Sequence, residues 1–455
     1  MTDKRSESMR SRSERAEDER LVPWACRAHH ASRRHPVAGD GRAFDYRTAY
    51  QRDRDRIVYS RGFRRLRQKA QVGLLPAYED HRRNRLTHTL EVAQVSRTIG
   101  RALRLNEDLI EAIALAHDLG QPAFGPSGER VLDDLLTGRL DGRGGPGLGD
   151  RGGFWRAWQG LRVVDQVEKR YDHPGLNLTD DVREGIFKMS AEDRTPPEAV
   201  DGVRLGRGAL FEAQVVRLSN RIATALHDLD DALQSRTVDL AQVERLKAVT
   251  ELRKKLGAGY RTGGSRFMKA NAIHRGLTHL LVTGAILQSG RSLERWAEKS
   301  GVSDGDTFYT RRDGLVRGAE IGLPPSARRL LEDLEGFLIS KVHRGAEADR
   351  VEARGRRVVL GLFSAYFVDP SLLDDHVLLR HKELSGGRFL RDLPRENQTA
   401  EIARNYRRNP GFVRLLADHL AAMTDAYALA EHTRLMEMGA VPIPSVEQVR
   451  REDGA

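Results

Sequence analysis

Apolar residues recur at helical spacing over most of this chain. The clearest segment is 86–103, in which they follow one another every four or five positions: Leu86, Leu90, Val95, Ile99 and Leu103. Polar residues fill the positions between them, which is the pattern of a helix with one buried face. Asn106 is the predicted N-cap of a second helix, which runs through an apolar stretch to His117 and ends near Gly120.

Similar patterns predict helices over 48–69 with a break at Gly62, and over 210–233, 268–288, 327–344, 350–367 and 413–438. The segment 123–136 is predicted to start as a loop and to become helical. Runs of alternating apolar and polar residues, which would indicate strands, are scarce. The sequence therefore predicts an all-α fold with little or no sheet.

Composition divides the chain into one long domain and two tails. Residues 1–43 are polar, mixed in charge and without periodicity, which predicts a mobile tail with ordered structure beginning near Phe44. A single domain is expected over 44–440, with glycine-rich insertions near 138–153 and 257–265. A second tail is expected over 441–455.

Composition and net charge indicate the general class of partner but not which partner it is. Hydrophobic residues make up 39% of the 455 and charged residues 31%, so the chain can bury a core and keep a solvated surface. The net charge of +11 favours anionic partners such as nucleotides or nucleic acid, although diffuse arginine usage in a GC-rich genome would give the same excess.

Features of the chain also favour a cytoplasmic protein without a membrane anchor. Cys26 is the one cysteine, so no intrachain disulfide can form. The N-terminus lacks the apolar core of a signal peptide, and the most apolar run, 276–287, is too short to span a bilayer.

Histidine and aspartate stand at positions that suit metal chemistry. His88 lies in the helix predicted over 86–103, and the adjacent pair His117 and Asp118 ends the next apolar helix. Neutral imidazoles and a carboxylate together are ligands for divalent transition metals. A His-Asp pair alone is weak evidence, because a buried histidine is more often satisfied by an ordinary hydrogen bond.

Longer motifs around these residues carry a family resemblance. The run Tyr59–Leu119 contains SRGFRRL, RLTHTLEV and ALAHDL. The chain continues with GGFWRAWQGLRVV, PGLNLTDDVREGIFK, FEAQVVRLSNRIATALHDLDDAL and LADHLAAMTDAYALAEHTRLM. Over roughly Asp45–Met438 the chain resembles the dGTPase family of the HD phosphohydrolase superfamily. The resemblance implies an HD-domain helical bundle with additional helices, its core at about 57–235, in a homo-oligomer.

The resemblance also implies an activity and a site. It implies metal-dependent hydrolysis of deoxynucleoside triphosphates to deoxynucleoside and tripolyphosphate, with Mg²⁺ or Mn²⁺ as the expected ion and Fe, Ni or Zn as alternatives. The expected residues are carried over by motif. Those expected to hold the metal are His88, His117, Asp118 and Asn220. Those expected in catalysis are Asp118, Gln121 and Glu129. Those expected to bind substrate are Arg61, Arg64, Arg65, Gln71, Arg85 and Tyr427, although core packing is as good an interpretation of Tyr427.

This chain departs from the family's pattern at several of these positions. Asn220 and Arg221 stand where the family has Asp and Glu, and both changes predict weaker metal binding. Gln121 and Pro126 stand where the family has histidines, and neither can transfer a proton near neutral pH. A second hypothesis is therefore a nucleotide-binding or sensing pseudoenzyme. The third is a protein that binds single-stranded DNA, for which the chain shows no basic motif interleaved with aromatic residues.

Overall fold

The computed structural model describes residues 8–37, 46–71, 83–140, 148–189, 194–197, 200–204, 208–256, 265–315 and 320–436. The predicted C-terminal tail lies outside the described residues, as do 141–147 and 257–264, the central parts of the two predicted insertions.

Helices make up the regular structure, and the described ranges contain no strand beyond isolated β-bridges such as Arg33 with Thr179. The predicted all-α fold is confirmed. The α-helices are α1 Met9–Arg20, α2 Ala49–Val58, α3 Arg61–Arg65, α4 Arg85–Ala102, α5 Glu107–Ala116, α6 Gly125–Leu136, α7 Arg156–Arg162, α8 Asp180–Phe187, α9 Phe211–Gln234, α10 Leu240–Glu244, α11 Lys247–Leu256, α12 Arg266–Ser300, α13 Gly305–Leu315, α14 Pro325–Leu338, α15 Ala346–Val368, α16 Asp375–Ser385, α17 Arg395–Glu401, α18 Pro410–Ala422 and α19 Asp425–Met436. Short 3₁₀ segments lie at Ala28–His30, Leu66–Gln68, Pro370–Leu372 and Leu390–Asp392, and π turns at Val163–Val167, Ile339–His343 and Ile402–Tyr406.

The chain folds into two compact units. The first comprises residues 1–67, 77–120 and 160–349, and the second 68–76, 121–159 and 350–455. In the first unit α4 packs against α5 and α9, and α2 packs against α5. In the second unit α6, α15, α16 and α18 supply most of a continuous apolar core.

The mobile tail predicted for 1–43 is wrong over residues 8–37. The Cys26 amide donates to Glu212 Oε1 over 2.9 Å, and the Ala28 amide donates to Glu17 Oε1 over 2.7 Å. The side chains of Leu21, Cys26 and Ala28 are buried. These apolar residues follow α1 in a short irregular segment, so they produce no helical periodicity in the sequence. The backbone of this segment is held instead by hydrogen bonds to the buried carboxyl groups of Glu212 and Glu17.

Asparagine caps set the starts of the two helices that matter most for the site. Asn84 accepts the Thr87 amide at the start of α4, and Asn106 accepts the Leu109 amide at the start of α5, as predicted for Asn106. Gly100 lets the two helices approach closely, because a Cβ there would lie 2.2 Å from Ile110 Cδ1. The arrangement of α4 and α5 is therefore set by the caps at their N-termini and by the close contact between Gly100 and Ile110.

Two predicted helices are each divided in the structure. The segment 48–69 breaks at Ser60, whose hydroxyl caps α3 by accepting the Phe63 amide, and not at Gly62. The segment 413–438 becomes α18 and α19. Asp425 begins α19, and its carboxylate accepts the amides of Ala70 and Phe124 over 2.9 Å each, which ties the break to distant backbone. Within the described residues no helix is both long and apolar enough to cross a membrane.

Candidate metal centre

Two helices of the first unit bring the predicted triad together. His88 lies one turn into α4, while His117 and Asp118 follow the last turn of α5. The three residues are buried, with exposed fractions of 1%, 5% and 4%. Each offers one ligand atom, and these atoms lie within 4.8 Å of one another. Two imidazoles and one carboxylate from separate helices thus converge on one point.

His117 has the tautomer that a metal ligand needs. Its Nδ1 lies 2.7 Å from the Ala114 carbonyl oxygen, which can only accept, so Nδ1 carries the proton and Nε2 the lone pair. Nε2 is buried and has no hydrogen-bond partner among the described residues. A buried nitrogen without a partner is costly, and a bound cation would satisfy it. The residues present therefore fit a divalent metal ion.

The carboxylate of the triad is paired with an arginine. Arg85 Nη1 donates to Asp118 Oδ2 over 2.7 Å, and both side chains are only 6% exposed. Arg85 Nε is buried without a hydrogen-bond partner in the described part of the chain. Arg85, predicted to bind phosphate, thus lies at the candidate metal centre, where it balances the charge of Asp118.

The fourth predicted ligand reaches the same point from α9. Asn220 Oδ1 lies 3.0 Å from His88 Nε2. The neighbouring Arg221 points away and forms a bidentate pair with Glu335, with both N–O distances at 2.7 Å. Successive helix residues diverge by about 100°. The expectation that Arg221 adds a cation to the site is therefore wrong, and the prediction of weaker metal binding rests on Asn220 alone.

Sequence reasoning missed two residues behind His88. His227 Nδ1 lies 3.0 Å from His88 Nδ1, and His227 Nε2 lies 2.5 Å from Glu91 Oε2. The available signal was spacing: His227 follows Asn220 by two turns of α9, and Glu91 follows His88 by one turn of α4. Burial, partly opposed by the charge of Asp118, lowers the pKa of His88 to about 3, so His88 is neutral at physiological pH.

The other arginines predicted to bind substrate lie on the surface of the first unit. Arg61, Arg64 and Arg65 form α3 with exposed side chains, and Arg61 Nη2 donates to the Lys169 carbonyl over 3.3 Å. Their role in binding phosphate stays a prediction.

The remaining predicted residues belong to the second unit. Gln121 is fully buried, and neither polar atom of its side chain has a hydrogen-bond partner in the described ranges. Gln71 is partly buried, and its Oε1 atom likewise has no hydrogen-bond partner there. Glu129 Oε1 accepts the Arg156 amide over 2.8 Å, at the start of α7. Tyr427 is 45% exposed, so the core-packing interpretation is wrong. The catalytic and substrate-binding roles of these four residues stay predictions.

Comparisons with known proteins agree with this geometry. The HD domain family matches residues 85–218, which include His88, His117 and Asp118, and the phosphohydrolase-associated domain family matches residues 321–392. A "Deoxyguanosinetriphosphate triphosphohydrolase-like protein" of Syntrophus aciditrophicus (strain SB) is 35% identical over 433 residues, covering 93% of this chain and 96% of that protein.

Two further relatives match over similar lengths. A "Deoxyguanosinetriphosphate triphosphohydrolase-like protein 1" of Deinococcus radiodurans is 35% identical over 91% of this chain and 96% of its own length. A "Deoxyguanosinetriphosphate triphosphohydrolase-like protein" of Caldanaerobacter subterraneus subsp. tengcongensis is 34% identical over 97% of this chain and 98% of its own length. With near-complete coverage at this identity, the chain belongs to the deoxyguanosinetriphosphate triphosphohydrolase-like family.

Proposed function

We propose that this protein hydrolyses deoxynucleoside triphosphates to deoxynucleoside and tripolyphosphate at a divalent metal ion held by His88, His117, Asp118 and Asn220. The observation that carries the proposal is the convergence of the first three residues within 4.8 Å, all buried. The names of the relatives supply the substrate class.

The donor set favours some ions over others. Two imidazole nitrogens, one carboxylate and one amide oxygen suit Mn²⁺, Fe²⁺, Ni²⁺ or Zn²⁺ better than Mg²⁺, which prefers oxygen ligands. When bound, such an ion polarises a phosphate oxygen and lowers the pKa of a water molecule. We therefore expect Mn²⁺ to support turnover better than Mg²⁺ does.

Residues of the chain itself supply binding and orientation. The Ala114 carbonyl fixes the ring of His117, so that Nε2 presents its lone pair. Arg85 has one donor on Asp118, and its buried Nε, which has no hydrogen-bond partner among the described residues, can bind a phosphate oxygen once the side chains that cover it move. A triphosphate would thus meet a guanidinium whose position is already set by a buried ion pair.

Turnover with chosen ions tests the proposal. The purified chain is incubated with each deoxynucleoside triphosphate and Mn²⁺ or Mg²⁺, and tripolyphosphate is separated by anion-exchange chromatography. We expect release that a chelator abolishes and that His117→Ala lowers at least about a hundredfold. Gln94→Ala, an exposed change on α4, serves as the matched control and should retain full activity. Folded wild-type protein that releases no tripolyphosphate with any ion would refute the proposal.

A nucleotide-binding protein without useful turnover is the second candidate. The residues at two positions favour it: Asn220 carries no charge, and the buried amide of Gln121 cannot transfer a proton. Its expected result is a thermal shift with deoxynucleoside triphosphates in the absence of product. Gln121→His separates the two candidates, because a restored acid–base group contributes about a hundred- to ten-thousandfold to rate when the rest of the site works.

A further inference from the structure

A hydrogen-bonded chain of three side chains leads from the surface of α4 to the metal centre. Glu91 Oε2 lies 2.5 Å from His227 Nε2, and His227 Nδ1 lies 3.0 Å from His88 Nδ1. His88 and His227 are 1% and 4% exposed, whereas the Glu91 side chain is 38% exposed. The ring planes of the two histidines are nearly perpendicular, at 88°, which suits an in-plane hydrogen bond better than stacking.

The proton positions along this chain follow from what each atom can do. A carboxylate can only accept, so the proton between Glu91 and His227 belongs to His227 Nε2. For His88 Nε2 to present a lone pair to a metal ion, the His88 proton must lie on Nδ1, and His227 Nδ1, 3.0 Å away, is placed to accept it. His88 Nε2 also lies 3.0 Å from Asn220 Oδ1, which can only accept, so a direct bond between these two atoms needs the proton on Nε2, whereas a metal ion between them needs it on Nδ1.

Glu91 itself is held in place and kept ionised. Arg83 Nε donates to Glu91 Oε2 over 3.2 Å, and Arg83 Nη1 binds Asp230 and Asp231 over 2.8 and 2.7 Å. Burial raises the pKa of Glu91, but the bond and charge of His227, together with Arg83, outweigh burial and lower it. The acceptor at the end of the chain is therefore a fixed carboxylate.

We propose that Glu91 and His227 are positioning residues, which hold His88 in the tautomer and orientation that present Nε2 to the metal ion. The inference rests on the proposed metal centre and extends it beyond its ligands. Partners of this kind behind a ligating histidine set its tautomer and raise its basicity, and their loss typically costs about ten- to a hundredfold in metal affinity.

Three variants and one control separate positioning from simple stabilisation. His227→Phe removes both hydrogen bonds, whereas His227→Gln keeps a donor and an acceptor on one side chain. Glu91→Gln can present its NH₂ group to His227 and so allows either tautomer. Glu111→Gln on α5 is the control, since Glu111 is also half-buried beside arginines, Arg54 and Arg97, but lies outside this chain of bonds.

Mn²⁺ affinity, measured from the electron paramagnetic resonance signal of the free ion, is the first readout. We expect Kd to rise about ten- to a hundredfold in His227→Phe, to rise less in Glu91→Gln, and to stay within about threefold of wild type in His227→Gln and Glu111→Gln. Co²⁺ absorption is the second readout, because it reports ligand geometry and does not respond to general stability. Circular dichroism identifies any variant that fails to fold, and Glu91→Gln then carries the test.

Hydrolysis is measured separately so that the two proposals can fail separately. Equal Mn²⁺ affinity and an unchanged Co²⁺ spectrum in folded His227→Phe or Glu91→Gln would overturn the positioning role and leave the proposed function intact. Weakened binding in these variants, with no hydrolysis by wild type, would support positioning and refute the function. A wild-type protein that binds neither ion overturns both.

Discussion

Restoring a carboxylate at position 220 is the sharpest perturbation of the metal centre. Asn220 Oδ1 lies 3.0 Å from His88 Nε2, so the oxygen of an Asn220→Asp variant would stand among the ligand atoms. Two unit charges 4 Å apart attract by about 4 kcal/mol at an effective dielectric constant of 20, and a divalent ion doubles this value. We take about 8 kcal/mol as the upper limit.

Two opposing terms reduce this limit. Desolvation of a half-buried carboxylate costs several kcal/mol. In the metal-free protein the new carboxylate also favours a proton on His88, and that proton competes with the metal. We therefore expect a net gain of about 1.4–2.8 kcal/mol, which corresponds to about ten- to a hundredfold tighter Mn²⁺ binding.

Isothermal titration calorimetry with Mn²⁺ measures this change directly. Gln94→Glu is the matched control, because it adds the same charge on the exposed face of α4 and should change Kd by less than about twofold in 0.15 M salt. An Asn220→Asp variant with wild-type affinity would show that position 220 does not face the ion. A gain equal to that of the control would instead attribute the effect to net charge.

Three further predictions concern stability, each measured by urea denaturation. Asp118→Asn leaves the Arg85 charge buried without its carboxylate and should lower the free energy of unfolding by about 3–5 kcal/mol; a loss below about 1 kcal/mol would contradict the buried pair. Gly100→Ala puts a Cβ 2.2 Å from a carbon of α5 and should cost about 1–3 kcal/mol. Gly284→Ala on α12 places its Cβ no closer than 3.4 Å to any neighbouring atom and should raise the free energy of unfolding by up to about 1 kcal/mol. Equal effects of Gly100→Ala and Gly284→Ala would be inconsistent with the close packing at Gly100. Burial raises the pKa of Glu17 from 4.5 to about 7, so the folded protein holds a proton that the unfolded chain releases. Stability should therefore fall by roughly 3 kcal/mol between about pH 4.5 and pH 7, and an equally steep decline in Glu17→Gln would rule out this source.

Local patterns were enough to predict the α4–α5 pair and the triad it carries. The periodicity over 86–103, the cap at Asn106 and the His-Asp pair at a helix end are properties of short segments. Both ends of α4 match the prediction within one residue, and α5 begins after the predicted cap but ends at Ala116, four residues before the predicted end near Gly120. The predicted break at Gly62 was wrong because Ser60 provides a cap, and a single sequence does not show which of two nearby breakers a helix will use.

Contacts between distant segments could not be predicted in the same way. The direction of Arg221 depends on Glu335, more than a hundred residues later, and the pairing of Arg85 with Asp118 depends on the packing of two helices. His227 and Glu91 shared spacing with the predicted ligands, but only the contact of α4 with α9 joins them. Long-range geometry therefore decided which charged residues act on the site.

Glu212 on α9 shows why the segment around Cys26 matters to the triad. Its Oε1 accepts the amide of Cys26 over 2.9 Å and that of Asn106, the cap of α5, over 3.4 Å. A shortened version beginning near Phe44, where composition would place the domain boundary, would lose one of these donors and leave a fully buried acid short of a partner. The start of α5 at Asn106 would then be held less firmly, and α5 leads directly to His117. Truncation at the N-terminus should therefore lower the affinity for a metal ion, although the deleted residues lie at the opposite end of α5 from His117.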